Sequence, residues 1–263
     1  MAHATTPDGA RVRYDDRGHG EPLLLVSGQG LDAHGWDGIA ESLAAHHRVL
    51  TYDQRGTGGT EAPEPTAAAP WTTRLFAADA AAVLTAARVP RAHVHGVSLG
   101  GRVAQWLAVD HPHRVGALVL SATTPGDAHG VPRDAAVDRL MATSGELASA
   151  VALLELMASR RFLAAGTWTA WAPQPMTDAA RAGHRAASQA HDAWDVLPRI
   201  TAPTLVLHGD DDRVNPPGKA HLLAERIPGA ELAVVPGGRH AVLFEMQAQC
   251  DALVLGFLAR HPL

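Results

Sequence analysis

The chain has one cysteine, Cys250, and one lysine, Lys219, and each scarcity excludes something. A single thiol cannot build an internal disulfide framework or supply a zinc-ligand spacing, so nothing calls for an oxidising compartment. It falls in the stripe Met246, Cys250, Leu253, Val254 and Phe257, whose spacing predicts one face of a helix and a buried thiol. Arginine therefore carries nearly all the positive charge. Those arginines are scattered and the net charge is −5, which leaves no broad field for nucleic acid. No run reaches the ~18 to 20 apolar residues that span a bilayer. The N-terminus has no basic region followed by an apolar stretch and a cleavage site, so a cytoplasmic setting without a membrane partner is expected. Sixteen histidines invite a metal reading, but no recognised ligand spacing occurs and no metal is expected. His111 and His113 flank Pro112, where a helix is expected to stop.

What is present suits a packed protein, with 46% hydrophobic and 19% charged residues in 263. Short apolar runs alternate with longer amphipathic stretches, the sign of βαβ units and a mostly parallel sheet flanked by helices, an α/β fold. Strands are expected at Arg11 to Asp15, Pro22 to Ser27, Arg48 to Tyr52, Ala92 to Val97, Val115 to Ser121, Thr204 to His208 and Glu231 to Val235. Helices are expected at Trp36 to Ala45, Thr73 to Ala87, Leu99 to Val109, Pro216 to Arg226 and Glu245 to Ala259, with Asn215 capping the fourth. The alternation breaks between Thr124 and Arg199, where helical patterns such as Glu146 to Ala158 and Asp178 to Trp194 occur without strands. The expected organisation is a core of residues 1–123 and 200–263 with a helical cap inserted at 124–199. Trp168, Trp171 and Trp194, with Met157 and Phe162, taken singly suit packing of the cap onto the core and taken together suggest an apolar pocket wall.

The run Gly96-Val97-Ser98-Leu99-Gly100 lies between a predicted strand and a predicted helix, the context that gives Gly-x-Ser-x-Gly its meaning. A tight turn there exposes the Ser98 hydroxyl above the carboxyl end of the sheet. A serine hydroxyl is a poor nucleophile near neutral pH, so it needs a base and a group that orients the base. Downstream, a strand ends in Gly209-Asp210-Asp211-Asp212, and Gly237-Gly238-Arg239-His240 follows the last strand. Three adjacent aspartates leave the acid open on spacing alone.

At this point the chain resembles the α/β-hydrolase superfamily, from about Leu23 to the C-terminus. The resemblance implies Ser98 as nucleophile, Asp212 as acid, because family members read Gly-x-x-Asp with the acid last, and His240 as base. It also implies an oxyanion hole from the backbone N–H groups of Leu99 and Gln29, the latter in Ser27-Gly28-Gln29-Gly30, where Ser27 replaces the family's usual histidine. Asp53-Gln54-Arg55-Gly56-Thr57-Gly58 resembles a family turn that organises loops near the site. Trp36, placed like a common family tryptophan, joins the substrate-binding candidates, although packing suits it too. Arg160 and Arg161 are candidates for a substrate carboxylate, since guanidinium fits that group.

The same scaffold hosts many reactions. Serine at position 98 argues against the epoxide hydrolases and haloalkane dehalogenases, which use aspartate there. Hydrolysis of a small-molecule ester or lactone, as in small carboxylesterases and 3-oxoadipate enol-lactonases, is the leading expectation. Thioesterases, carbon–carbon bond hydrolases and cofactor-free haloperoxidases share the triad, and a ligand receptor or a biosynthetic cyclisation protein could keep the pocket. No cofactor is expected: the glycine-rich runs lack the full dinucleotide fingerprint.

Overall fold

The computed structural model describes residues 2–143, 146–166 and 175–263. Among them one sheet holds eight strands: β1 (Ala2–Thr5), β2 (Arg11–Gly18), β3 (Pro22–Val26), β4 (Arg48–Tyr52), β5 (Ala92–Val97), β6 (Val115–Ser121), β7 (Thr204–Gly209) and β8 (Glu231–Val235). Their spatial order is β1-β2-β4-β3-β5-β6-β7-β8. The first two pairings, β1 with β2 and β2 with β4, are antiparallel and all the others parallel. Helices α1 (Asp37–Ala44), α2 (Thr73–Ala86) and α3 (Leu99–Asp110) alternate with the strands up to β6. Between β6 and β7 come α4 (Ala135–Ala142), α5 (Leu147–Met157), α6 (Arg160–Ala164) and α7 (Asp178–Gln189), and α8 (Gly218–Arg226), α9 (Val242–Glu245) and α10 (Gln247–Ala259) follow.

Alternation along each strand builds two cores. Leu24, Val26, Leu50, Val94, Leu118 and Val206 join one apolar cluster with α2 and α3. Their neighbours Leu23, Leu25, Val49, Val119 and Leu205 join the other with α1 and α10. Strands β5, β6 and β7 are covered on both faces and buried along their whole length, and each leucine or valine so buried contributes ~1.5–3 kcal/mol. Cys250 lies in the second cluster, and burial pushes its thiol up to about 12. Among the described residues no helix is long and apolar enough to cross a membrane, and no group of three or more His, Cys, Asp or Glu forms a metal site.

The structure departs from the expected elements in four places. The edge strand β1 has only four residues and too short a pattern to announce itself. The C-terminal helix breaks at Met246, which separates α9 from α10. Helix α8 starts at Gly218 with no side-chain cap, because the Asn215 carboxamide is buried and donates instead to the Ala122 carbonyl at 2.7 Å. The helix expected to run to Trp194 ends at Gln189.

Behind the site the Asp53 to Gly58 turn is locked by charge. Arg55, buried, donates to Asp79 through Nε at 2.6 Å and Nη2 at 2.7 Å, and to Asp8 through Nη1 at 2.6 Å. Replacing Arg55 by methionine leaves the buried Asp79 carboxylate unpaired. The expected loss is about 3–5 kcal/mol in urea unfolding of Arg55→Met, and a loss below about 1 kcal/mol would refute this account of the turn.

Candidate active site

Parallel strands bring the carboxyl ends of β3, β5, β6, β7 and β8 to one edge of the sheet, and the candidate residues leave from those ends. Ser98 is the single residue between β5 and α3, with φ 55° and ψ −117°, a conformation costly for any residue with a side chain. The turn closes only because its flanks lack side chains. A Cβ on Gly96 would run into the Gly100 backbone, and one on Gly100 into the carbonyl oxygens of Val26 and Ser27. The Ser98 N–H donates to the Ser121 carbonyl at 2.9 Å, and the Thr123 hydroxyl donates to the Ser98 carbonyl at 2.7 Å.

His240 Nε2 lies 3.1 Å from Ser98 Oγ and His240 Nδ1 lies 2.8 Å from Asp212 Oδ2. The other Asp212 oxygen accepts the backbone N–H groups of Val214 and Asn215, both at 2.8 Å. Burial would raise the Asp212 carboxyl, but the charge of His240 and hydrogen bonds with His208 and His240 hold it well below the usual carboxylate range. Of the three aspartates, only Asp212 meets the imidazole. Asp210 accepts the Gly237 N–H at 2.6 Å and Asp211 pairs with Arg239 at 3.2 Å, so these two hold the loop that carries His240. His208 is buried beneath, its Nε2 2.8 Å from the Asn215 carbonyl and 3.3 Å from Asp212.

The loop after β3 passes close to the serine: a Cβ on Gly28 would sit 3.6 Å from Ser98 Cβ. The Ser27 hydroxyl donates to the Asp32 carbonyl at 3.0 Å, and Gln54 Nε2 donates to the Ser27 carbonyl. Gln29 lies beside Ser98 in the cavity wall. Leu99 opens α3, so its N–H has no acceptor within the helix. His184 of α7 supplies a pin that the sequence did not announce. The Gly30 N–H donates to His184 Nδ1 at 3.3 Å, and His184 Nε2 donates to the Arg55 carbonyl at 2.7 Å.

A family model described as alpha/beta hydrolase fold matches residues 21–246. The chain belongs to the α/β-hydrolase fold family. A protein of Variovorax paradoxus provisionally named a carbamate hydrolase is 34% identical, with 92% of each chain covered. One of a Synechocystis species, provisionally named a non-heme chloroperoxidase, is 30% identical over 94% of each. Among solved structures, the enol-lactonase from Burkholderia xenovorans superposes with a TM-score of 0.83 at 25% identity, covering 98% of this chain and 99% of that one. These names denote different reactions on one fold.

In this α/β-hydrolase a cavity of about 180 Å³ opens above Ser98. Met157 lines it, together with Leu153, Leu154 and Phe244. Four candidates stand elsewhere. Trp36 is buried under the site, its ring 5.2 Å from His95 and 6.4 Å from Phe244, so it packs rather than faces a ligand. Trp194 lies beyond α7, stacked on His129 at 4.7 Å with the Arg226 guanidinium over its ring. Arg160 and Arg161 sit on α6 and point to solvent, Arg160 beside a separate surface depression with Asp211 and Arg213. Trp168 and Trp171 lie outside the described residues.

Burial lowers the His184 imidazole to about 4, against the hydrogen bond to the Arg55 carbonyl, and lowers His95 to about 3. In the unfolded chain both protonate near 6.5. Between about pH 6.5 and pH 4 the unfolded state therefore binds more protons, and stability falls as pH falls. Urea unfolding across that window is expected to show the decline. The slope should be shallower in His184→Gln by up to about 1.4 kcal/mol per pH unit; an unchanged slope would show that His184 does not resist protonation.

Proposed function

We propose that this α/β-hydrolase cleaves a small carboxylic ester or lactone through an acyl-enzyme on Ser98. The observation that carries the reading is the unbroken hydrogen-bonded chain from Ser98 Oγ through His240 to Asp212, at 3.1 and 2.8 Å, opening into a cavity with an apolar wall of Leu153, Leu154, Met157 and Phe244. In the first half-reaction Ser98 Oγ attacks the carbonyl carbon while its proton passes to His240 Nε2. The oxyanion is received by the N–H groups of Gln29 and Leu99, the carbon–oxygen bond breaks, and the departing alkoxide takes the proton from His240. Water then repeats the sequence on the acyl-enzyme, releasing the acid and restoring Ser98. Asp212 fixes the imidazole with Nδ1 protonated and stabilises its cationic form.

Serine chemistry needs the tight turn at Ser98 to keep Oγ accessible, and helices α4 to α7 act as a cap that limits water and shapes the pocket. The likeness to an enol-lactonase supports the ester and lactone class.

Hydrolysis of short p-nitrophenyl esters and simple lactones tests the reading. Ser98→Ala and Asp212→Asn are each expected to lower kcat by about 10⁴-fold or more. A fluorophosphonate should add once, and peptide mapping should place the adduct on Ser98. A label elsewhere, or equal rates in wild type and Ser98→Ala, would overturn the mechanism.

A further inference from the structure

The cavity above Ser98 has a charge asymmetry that acyl transfer does not use. Three arginines line it, Arg102, Arg133 and Arg181, and among the described residues no aspartate or glutamate does. The stretches outside the described residues, Ser144-Gly145 and Thr167 to Gln174, contain no acid in their sequence. A chain of net charge −5 thus collects cations around one pocket.

Two of the three are already engaged. Arg102 donates to Asp127 Oδ1 at 2.8 Å and to the Ser188 carbonyl. Arg133 donates to Asp138 at 2.9 Å and to the Val214 carbonyl, and lies 3.8 Å from Asp127. The buried Lys219 ammonium is 3.7 Å from the same Asp127 carboxylate, so one acid serves three cations and cannot neutralise a fourth. Arg181 has no such engagement: it is half-buried, lines the cavity, and has no ion pair or side-chain hydrogen bond among the described residues.

Its place on α7 gives the charge a direction. Arg181, His184 and Ser188 stand at i, i+3 and i+7 and all line the cavity, so they share one helix face. His184 touches the loop of Gln29 through the Gly30 N–H. Arg181 lies about 5 Å away from His184 along the helix axis, in the wall of the same cavity. The wall contributed by α5, with Leu153, Leu154 and Met157, is apolar.

We propose that Arg181 binds a carboxylate on the substrate, so that the site takes an ester or lactone with an anionic carboxylate on one arm and an apolar group on the other. This rests on the acyl-transfer reading of the same site. A guanidinium offers a planar pair of donors matched to a carboxylate, and a half-buried one without a counter-ion gains most from such a partner.

Two matched substrate pairs test it: the p-nitrophenyl monoester of glutaric acid against p-nitrophenyl pentanoate, and 4-acetoxybenzoate against 4-methylphenyl acetate. The first pair carries the carboxylate on the acyl arm and the second on the leaving arm. In one pair, Arg181→Met is expected to lower the ratio of kcat/KM, charged over neutral, by about ten- to a hundredfold, with Arg181→Lys in between. Ratios unchanged in both pairs would overturn the proposal. A binding measurement keeps it separate from the hydrolase reading. With Ser98→Ala protein, calorimetry should show that adding Arg181→Met weakens monomethyl glutarate by about tenfold or more and dimethyl glutarate far less. If no ester is turned over, the hydrolase reading fails while this comparison still decides the carboxylate; equal weakening of the two esters, or none, refutes the role of Arg181.

Discussion

How closely the start of α3 can press against the end of β3 governs the whole site. Gly100 meets the Val26 and Ser27 carbonyl oxygens with no room for a side chain, and Gly96 meets Gly100 in the same way. A helix docked so tightly leaves one residue to reverse the chain, and Ser98 does so with a positive φ at a cost of about 1–3 kcal/mol. The hydrogen bonds from Ser98 to Ser121 and from Thr123 to Ser98, together with the buried length of α3, hold that strain in place. The same approach lays the loop of Gln29 alongside the first turn of α3. Contact between two backbones therefore exposes the Ser98 hydroxyl and brings the loop of Gln29 into the same cavity wall.

The placing of Asp212 and His240 follows from a second constraint, the satisfaction of a buried carboxylate. Asp212 is nearly inaccessible, yet one oxygen takes two backbone N–H groups and the other takes imidazole. Its charge is thereby held in the interior, and it can be aimed at His240 because the rest of its acceptor capacity is used. His208 completes the environment from the strand below, while Asp210 and Asp211 spend their charges on the opposing loop. Three identical residues in a row take three different tasks, set by which way each leaves the end of β7.

This division explains what was legible in the sequence. The central strands could be read because they are buried on both faces, and the serine motif could be read because its glycines are demanded by backbone contacts. Asp212 and His240 were singled out by the resemblance rather than by spacing, and the parallel sheet turns their positions after β7 and β8 into proximity. The helical segment offered no such frame. Arg160, Arg161, Trp168, Trp171 and Trp194 stood out by type, whereas the side chains facing the cavity from α7 are Arg181, His184 and Ser188, an ordinary polar stripe. Local periodicity gives the face of a helix but not what that face meets. Asn215 shows the same limit: its capping chemistry was sound, but the nearby Ala122 carbonyl takes the carboxamide.

The helical segment is also joined to the candidate site at two loops, those of Gln29 and His240. His184 ties α7 to Gly30 and to the Arg55 carbonyl. At the other end Arg239 donates to the carbonyls of Glu155 and Ala158, each at 2.9 Å, and the Ala241 N–H donates to the Met157 carbonyl at 2.8 Å, on either side of His240. Whatever displaces α5 must pull on the loop of His240, and whatever displaces α7 must pull on the loop of Gln29. A ligand held between the two helices would therefore bear on the geometry of both loops, through bonds that the reaction itself does not break. Each of these hydrogen bonds has a backbone group as at least one partner, and that is why residue types alone could not announce them.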